Sequence, residues 1–325
     1  MTPTTAPPHH PTLPLRVGTR PSPLALVQTR DVIARLREAC PALREAGAIV
    51  ECPIRTTGDT VQDRRLSELG GKGLFAKEIH EALRDGRIDL AVHSLKDLET
   101  ALPEGVILGP VLPREDPRDA LILPPGAPAP AAADPFAALA RGARVGTASL
   151  RRQAQLLHAR PDLRVVMLRG NVGTRLDKIA AGEADATLLA LAGLRRLGLT
   201  AKAGIVLAPE TMLPAAGQGI VGITLREADT ELAALLAALG DPAAAAAATA
   251  ERAVLAALDG SCRTPVGAYA RLDPDGGLHL AALLARGDGS WLARREIAGP
   301  AAEAARLGAT LGAALRAAAP SDVLA

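Results

Sequence analysis

Short apolar strands alternate with amphipathic helical segments along most of this chain, and this alternation constrains its fold more than any other feature. The pattern predicts strands at 15–19, 49–55 and 88–93, with helices at 23–38 and 73–84 between them. Alternation of this kind is typical of α/β domains built on largely parallel sheets. At about 150 residues per domain, a chain of 325 residues has room for two or three such units.

The alternation occurs twice along the chain. RVGT stands at 16–19 and again at 144–147, and within three residues of each copy a serine opens a helix, Ser22 in one case and Ser149 in the other. The second copy leads through two further helix–strand pairs that end near residue 191. Repetition of both the motif and the element order predicts two similar α/β lobes.

A third, smaller unit is predicted after the Gly-Asp-Pro break at 240–242. It contains a helix that runs to 257, two strands at 266–272 and 278–284, and an Ala-rich helix over 301–318. Alanine has the highest helix propensity, so the alanine run in the first of these helices needs no functional explanation.

Composition and charge exclude several classes of protein. Lys and Arg total 37 against 35 for Asp and Glu, and only four residues are aromatic, which argues against a nucleic-acid-binding surface. No run reaches the ~18 apolar residues that span a bilayer, so no membrane partner is expected. The Pro- and Thr-rich start does not have the composition of a signal peptide, and we expect a disordered tail and a cytoplasmic protein.

Cysteine, histidine and glycine patterns exclude three kinds of site. The three cysteines contain no CxxC pair, which indicates a reducing compartment, and Cys40 and Cys52 are interpreted as packing residues. The histidines lack a metal-ligand spacing, so no metal site is expected. Glycines at 217, 219 and 222 spell GxGxxG but lead into a predicted strand, whereas the dinucleotide fingerprint opens a helix.

Arginines concentrate at the strand ends and helix starts where α/β folds bind ligands. A helix N-terminus already carries partial positive charge, so further cations there indicate a bound anion. The guanidinium fork also matches carboxylate and phosphate groups. Any one of these arginines alone is more often a solvated surface residue, but together they predict a polyanion site. The set comprises Arg20, Arg151, Arg152, Arg169, Arg175 and Arg196.

Two further positions allow both a chemical and a structural interpretation. Lys96 and Asp97 directly follow a predicted strand, and Asp97 is either a catalytic acid facing the cleft or a cap on the next turn. Cys262 lies in the turn-rich segment DGSCRTP, where it is either a nucleophile of lowered pKa or a passive loop thiol. Position alone leaves these alternatives open.

Nine motifs, in order, give the chain a resemblance to the porphobilinogen deaminase (hydroxymethylbilane synthase) family that extends from Arg16 onward. They are RVGTRPSPLAL, GGKGLFAKE, DLAVHSLKD, REDPRDA, VGTASLRRQ, LRGNVGTRL, AGLRRLGL, LPAAGQGIVGI and DGSCRTPVGAYA. One departure is Glu99, which stands where many members of the family have proline.

The resemblance implies an α/β protein with two periplasmic-binding-protein-like lobes around a cleft and a smaller α/β third domain. Residues 15–113 and 218–238 would form the first lobe, 114–217 the second and 239–325 the cofactor-attachment domain, after a tail over 1–14. We expect a monomer.

The resemblance also implies a transferase that condenses four porphobilinogen units, with loss of ammonia, into hydroxymethylbilane. Asp97 would be the catalytic carboxylate, which stabilises the azafulvene cation left when ammonia departs. The implied cofactor is dipyrromethane, bound to Cys262 through a thioether. The other cofactor-binding residues would be Lys96, Ser149, Arg151, Arg152 and Arg175, and the substrate-binding residues Arg20, Ser22, Phe75, Arg169 and Arg196.

Two alternatives from other classes remain. A small-anion binding protein would share the two lobes around a cleft but would have no use for Cys262. A nucleotide-dependent α/β enzyme would rest on the misplaced GxGxxG alone.

Overall fold

Three β-sheets organise the chain, whose computed structural model describes residues 13–61, 73–127, 134–259 and 264–324. Two of the sheets have five strands and the third has three. The predicted attachment residue Cys262, most of the predicted tail and part of the GGKGLF motif lie outside the described residues.

The first lobe begins with parallel strands. Its elements are β1 (Leu15–Thr19), α1 (Pro23–Ala39), β2 (Ile49–Pro53), α2 (Thr57–Thr60), α3 (Lys77–Arg84), β3 (Leu90–Ser94) and β4 (Val106–Val111). β1 pairs in parallel with both β2 and β3, and Val17 and Val92 of this sheet pack with Val32 and Leu36 of α1. Cys40 is the buried C-cap of α1 and Cys52 lies in β2, which confirms their interpretation as packing residues.

The second lobe repeats this plan. Its elements are β5 (Asp119–Ile122), β6 (Arg144–Gly146), α4 (Leu150–Ala159), β7 (Arg164–Val166), α5 (Val172–Ala180), β8 (Ala186–Ala190), α6 (Leu191–Arg196) and β9 (Ile205–Val206). β6 pairs in parallel with β7 and β8, while β5 runs antiparallel to β8 and β9.

The chain then returns to the first lobe through β10 (Val221–Arg226) and α7 (Thr230–Ala237). β10 lies antiparallel between β3 and β4, so the first sheet has the order β2-β1-β3-β10-β4. The second sheet has the order β7-β6-β8-β5-β9, with β5 in the place that β10 takes in the first. These matching orders, with the two RVGT segments in equivalent strands β1 and β6, confirm the predicted pair of similar α/β lobes.

The third unit is an antiparallel sheet covered on one face by two helices. Its elements are α8 (Pro242–Ala257), β11 (Val266–Leu272), β12 (Gly277–Ala285), β13 (Leu292–Pro300) and α9 (Ala304–Ala318). The two helices approach so closely that a Cβ atom at Gly308 of α9 would collide with the Ala250 carbonyl of α8. Strand β13 was not predicted from the sequence, since only one of its nine residues is buried. The predicted fold class is confirmed.

Arg114 and Glu251 form an ion pair where the three units meet. Arg114 lies between β4 and β5, and Glu251 lies in α8. Arg114 Nη1 is 2.5 Å from Glu251 Oε1, and Arg114 Nε donates to the Gln218 carbonyl at 2.9 Å. The Glu251 carboxylate also accepts the backbone N–H groups of Gly217 and Ala270, each at 2.7 Å. The chain passes between the two lobes twice, once near Arg114 and once near Gln218. The buried ion pair joins both of these segments to the third unit.

Within the described ranges, no single helix is long and apolar enough to cross a membrane. Helices α7 and α8 satisfy a length and composition test only as a pair, and they are bent by 117° where they meet.

We predict that Glu251→Gln destabilises the protein by about 3–5 kcal/mol, because it leaves the Arg114 charge buried without its partner. The free energy of unfolding in urea measures this change. Glu296→Gln is the matched control, since its ion pair with Arg294 is exposed and should be worth about 0–1 kcal/mol. Equal, small effects of both substitutions would contradict the structural role of Glu251.

Candidate functional site

The carboxyl ends of β1 and β3 lie side by side and bring Arg20 and Asp97 to one edge of the first sheet. Arg20 directly follows β1, and Asp97 ends a 3₁₀ turn that directly follows β3. Arg20 Nη1 lies 3.8 Å from Asp97 Oδ2, and the Arg20 guanidinium carbon lies 4.2 Å from the Phe75 ring centroid. These three residues line one cavity together with Ser22, whose hydroxyl caps α1.

Asp59 is a close ion-pair partner of Arg20. Both of its carboxylate oxygens accept hydrogen bonds from Arg20 Nε, at 3.1 and 3.3 Å, and one also accepts from the Thr56 hydroxyl at 2.8 Å. Burial raises the pKa of this carboxyl, but the hydrogen bonds and charge of Arg20 outweigh burial and hold the pKa below its usual value. Arg20 therefore contacts two carboxylates, those of Asp59 and Asp97.

Polar side chains beneath the cavity satisfy one another. Gln28 and Ser94 exchange hydrogen bonds of 2.9 and 3.0 Å, and His93 Nε2 lies 2.9 Å from Thr224 Oγ1. Burial lowers the pKa of His93 to about 3, so its ring is neutral at physiological pH. His93 is therefore a buried histidine with a satisfied hydrogen bond.

A fully buried carboxylate, Asp119, holds the arginine pair of the second lobe. Asp119 Oδ1 accepts hydrogen bonds from Arg152 Nε at 3.2 Å and from Nη2 at 2.7 Å. Arg151 Nη2 lies 2.8 Å from Asp119 Oδ2 as an ion pair without hydrogen-bond alignment. Burial raises the pKa of Asp119, but the two arginine charges outweigh it and hold the pKa well below its usual range. Asp119 thus fixes both guanidinium groups and cancels one of their two charges.

Gln218 connects this cluster to Lys96. Its Nε2 donates to Asp119 Oδ1 at 2.9 Å, and its Oε1 accepts from Lys96 Nζ at 3.2 Å. Lys96 forms no ion pair with any residue that the structure describes. Burial lowers the pKa of its amine to about 8; the charge of Asp97 opposes this shift and that of Arg152 adds to it.

Arg175 is a second partly buried cation of this kind. Its Nε donates to the Gly170 carbonyl at 2.9 Å, and within the described ranges it has no carboxylate in ion-pair distance. Burial lowers the pKa of Arg175 to about 10, with further lowering by the Arg152 charge and an opposing effect of Asp97. The charges of Asp97 and Arg152 thus affect the pKa of both Lys96 and Arg175, which indicates that these four side chains lie near one another.

The remaining predicted residues lie at a helix start and between the lobes. Ser149 caps α4 by accepting a backbone N–H at 3.4 Å. Arg169 Nη2 donates to the Gly58 carbonyl of the first lobe at 3.3 Å, and Arg196 Nη2 donates to the Gly219 carbonyl of the returning chain at 2.8 Å. Arg169 therefore contacts the first lobe, and Arg196 contacts the segment through which the chain returns to the first lobe.

The sequence analysis did not identify Asp59, Asp119 or Gln218 as site residues. Asp119 lies in REDPRDA and Gln218 in LPAAGQGIVGI, so both stand within motifs that carry the resemblance. That placement was the available signal, but no local pattern shows that an aspartate will be paired with two arginines more than thirty residues away.

Two partly desolvated cations, which have no carboxylate partner in the described part of the chain, indicate what the site binds. An unpaired buried charge is costly, and a bound anion removes the cost. Lys96 and Arg175 lie around the same space as Asp97, so the site is suited to a ligand that carries several carboxylates together with a centre of positive charge. The described residues contain no cluster of His, Cys, Asp or Glu that would hold a metal ion.

Comparison with known proteins identifies the family. The family model described as "Porphobilinogen deaminase, dipyromethane cofactor binding domain" matches residues 15–234, and "Porphobilinogen deaminase, C-terminal domain" matches residues 245–317. The chain belongs to the porphobilinogen deaminase family. This membership confirms the resemblance that the nine sequence motifs carry, and it does not favour the alternative of a small-anion binding protein.

Individual relatives match over most of their length. A porphobilinogen deaminase of Nitrobacter winogradskyi is 51% identical over 90% of both chains, and one of Sorangium cellulosum is 50% identical over 93% of this chain and 98% of its own. A chloroplastic porphobilinogen deaminase of Oryza sativa subsp. japonica is 48% identical over 88% of this chain and 78% of its own. Among solved structures, an ancestral arginine-binding protein bound to arginine aligns over 69% of this chain and 89% of its own, with a TM-score of 0.37 and 16% identity, too weak a likeness to carry an argument.

The dipyrromethane cofactor of this family fits the residues present. A dipyrromethane assembled from two porphobilinogen units carries two acetates and two propionates, and Lys96 and Arg175 are cations without carboxylate partners in the described structure. Arg151 Nε is in addition a buried donor with no acceptor among the described residues. The site therefore has the charge and the free hydrogen-bond donors that this group requires.

We predict that Lys96→Met stabilises the cofactor-free polypeptide at neutral pH by about 1–3 kcal/mol, because it removes a partly buried charge that has no carboxylate partner among the described residues. The pKa of Lys96 falls from 10.5 to about 8 on folding, so between these values the unfolded chain binds more protons. Wild-type stability should therefore rise with pH across this window, and the methionine variant should lack the rise.

Urea unfolding at several pH values measures both effects. Lys202→Met is the control, because Lys202 is exposed, and it should leave the pH profile unchanged. A Lys96→Met variant that is less stable than wild type at neutral pH would contradict the unpaired-charge interpretation.

Proposed function

We propose that Asp97 is the catalytic carboxylate of a site that lies between the two lobes and the third unit. As a porphobilinogen deaminase, the protein condenses four porphobilinogen units head to tail, with release of ammonia, into hydroxymethylbilane in tetrapyrrole biosynthesis. The observation that carries the assignment of the site is the convergence of Asp97 with Lys96 and Arg175, two cations that have no carboxylate partner among the described residues. A carboxylate there faces cations that bind the substrate's carboxylates, and it meets the positive charge that develops when ammonia leaves.

Asp97 has the environment that this role requires. Its side chain is about a third exposed, at 35%, so the substrate can reach it, and its nearest ion-pair partner is Arg20, at 3.8 Å. A separation of that length leaves the carboxylate oxygens free to accept hydrogen bonds from pyrrole and ammonium groups. Electrostatic stabilisation aimed at a developing charge is often the largest single contribution to catalysis.

The arginines divide into two groups by their contacts. Arg151 and Arg152 are buried and fixed by Asp119, so we assign them to the cofactor, which stays in place through every cycle. Lys96, Ser149 and Arg175 complete that set. Once bound, dipyrromethane supplies the pyrrole carbon on which the new chain begins.

The substrate-binding residues lie nearer the cavity and the lobe crossing. Arg20, Ser22 and Phe75 line the cavity beside Asp97, where they would hold the incoming porphobilinogen. Arg169 and Arg196 each donate to a backbone carbonyl across the lobes, so a carboxylate of the growing chain would compete with those carbonyls. That competition would couple chain growth to a change in the lobe contacts.

Several further properties remain predictions. We expect a cytoplasmic monomer that binds neither nucleic acid nor membrane, in line with the formal charge of +2. We also retain the predicted domain boundaries, with residues 218–238 in the first lobe and 239–325 as the cofactor-attachment domain. The position of β10 in the first sheet supports the first of these assignments.

We predict that Asp97→Asn lowers turnover on the order of a thousandfold, because it keeps the shape of the side chain and removes its charge. Asp97→Glu keeps the charge and displaces it, so it should retain measurable activity and accumulate enzyme-bound intermediates. Steady-state rates of the folded variants provide the measurement. Asp85→Asn, at an exposed helix end, is the control and should leave the rates unchanged. If Asp97 were only a cap, asparagine would replace it without loss, since both residues cap well.

We predict that Cys262 carries the cofactor through a thioether and that Cys40 and Cys52 do not. Peptide mapping after proteolysis should find the added mass on the peptide that contains Cys262. Cys262→Ser should give a folded, inactive protein of unmodified mass, whereas Cys40→Ser and Cys52→Ser should keep both the adduct and the activity. An adduct on either of those two cysteines would overturn the assignment.

A further inference from the structure

Helix α8 of the third unit reaches the loop that follows Asp97. Arg252 Nη2 donates to the carbonyl oxygens of Glu99 at 2.6 Å and Thr100 at 3.1 Å, and Nη1 lies 3.4 Å from the Leu98 carbonyl oxygen. One guanidinium group thus binds three consecutive carbonyls, and the first of them belongs to the residue directly after Asp97.

The charge of Arg252 has no counter-ion in the part of the chain that the structure describes. No carboxylate of a described residue lies within ion-pair distance of it, and burial lowers the pKa of the guanidinium. A half-buried cation without a carboxylate costs stability, so the role of this arginine must lie in the carbonyls that it binds. A planar fork with five donors can serve three carbonyls at once, which a lysine ammonium does less well.

Apolar packing brings the same helix against the Asp97 turn. Ala244 and Ala248 of α8 belong to one buried cluster with Leu95 and Leu98, which flank Lys96 and Asp97. The alanine run therefore does have a structural purpose here, because small side chains let the helix approach the turn closely. Arg252 then fixes the backbone beyond that contact, and the turn is held on both sides.

The neighbouring residue on α8 binds a second chain segment that contacts the site. Glu251 holds Arg114 and the backbone of Gly217, next to the Gln218 that contacts Lys96. Two consecutive residues of α8 thus hold two parts of the site. Arg252 binds the backbone after Asp97, and Glu251 binds the backbone N–H of Gly217, next to the Gln218 side chain that contacts Lys96. In the sequence this helix also leads directly toward Cys262.

We propose that Arg252 is a positioning residue for Asp97, which couples the third unit to the catalytic carboxylate by fixing the backbone of residues 98–100. This inference rests on the proposed role of Asp97. Arg252 touches neither substrate nor cofactor in this proposal, and it acts only through the place at which it holds the carboxylate.

The test compares Arg252→Gln and Arg252→Lys in the complete holoenzyme, with porphobilinogen as substrate. A displaced carboxylate impairs the chemical step more than binding, so kcat should fall about 10- to 100-fold in the glutamine variant while KM changes less than about twofold. The lysine variant keeps the charge and part of the hydrogen bonding, and its kcat should lie between those of the glutamine variant and wild type. Arg271→Gln is the control, since Arg271 is exposed on the same unit, and its rates should match wild type.

A double-mutant cycle separates positioning from general loss of structure. In an Asp97→Glu background the carboxylate is already displaced, so Arg252→Gln should then lower kcat less than about threefold. A kcat within twofold of wild type for both Arg252 variants, or an equal loss with and without Asp97→Glu, would overturn the proposal. If the glutamine variant does not fold, the lysine variant in the same cycle decides the question. A wild-type protein that consumes no porphobilinogen would instead refute the proposed function.

Discussion

The ion pair between Arg114 and Glu251 is the contact on which the arrangement of the three units depends. Arg114 lies where the chain first crosses between the lobes, and it binds the carbonyl of Gln218, where the chain crosses back. Glu251 binds this arginine from the third unit and accepts two backbone N–H groups in addition. Since Glu251 is fully buried, its charge is tolerable only with these partners in place, and the three units must therefore meet in this one way.

The same principle, applied to other charges, distinguishes scaffold from site. Asp119 is buried with two arginines, and the cluster is nearly complete without any ligand. Lys96 and Arg175 lie beside it and have no such partner among the described residues, so burial lowers the pKa of each. These cations lower the stability of the fold until a bound anion neutralises them, and this is the property that a site for a polycarboxylate chain requires.

Local sequence patterns predicted the elements well where one face is buried and poorly where it is not. The RVGT strands and the helices that follow them were identified, because strand and helix periodicities are clear there. Strand β13 was missed, since only one of its nine residues is buried and its sequence LARREIAGP shows no regular apolar alternation. Helix α3 begins at Lys77 rather than at residue 73, because residues 74–76 form a turn in which the Phe75 ring packs against Gly58.

The sequence by itself determined the class of fold, the repetition of the lobes, the family and the candidate residues from Arg20 to Cys262, because each of these is written in short-range patterns and motifs. Only the tertiary structure decided which charges are paired. Asp59, Asp119 and Glu251 pair with arginines 32 to 137 residues away, and no local pattern encodes such a distance. Which arginines serve the scaffold and which remain for a ligand follows from those pairings, since the same guanidinium group is neutralised beside a buried carboxylate and available without one.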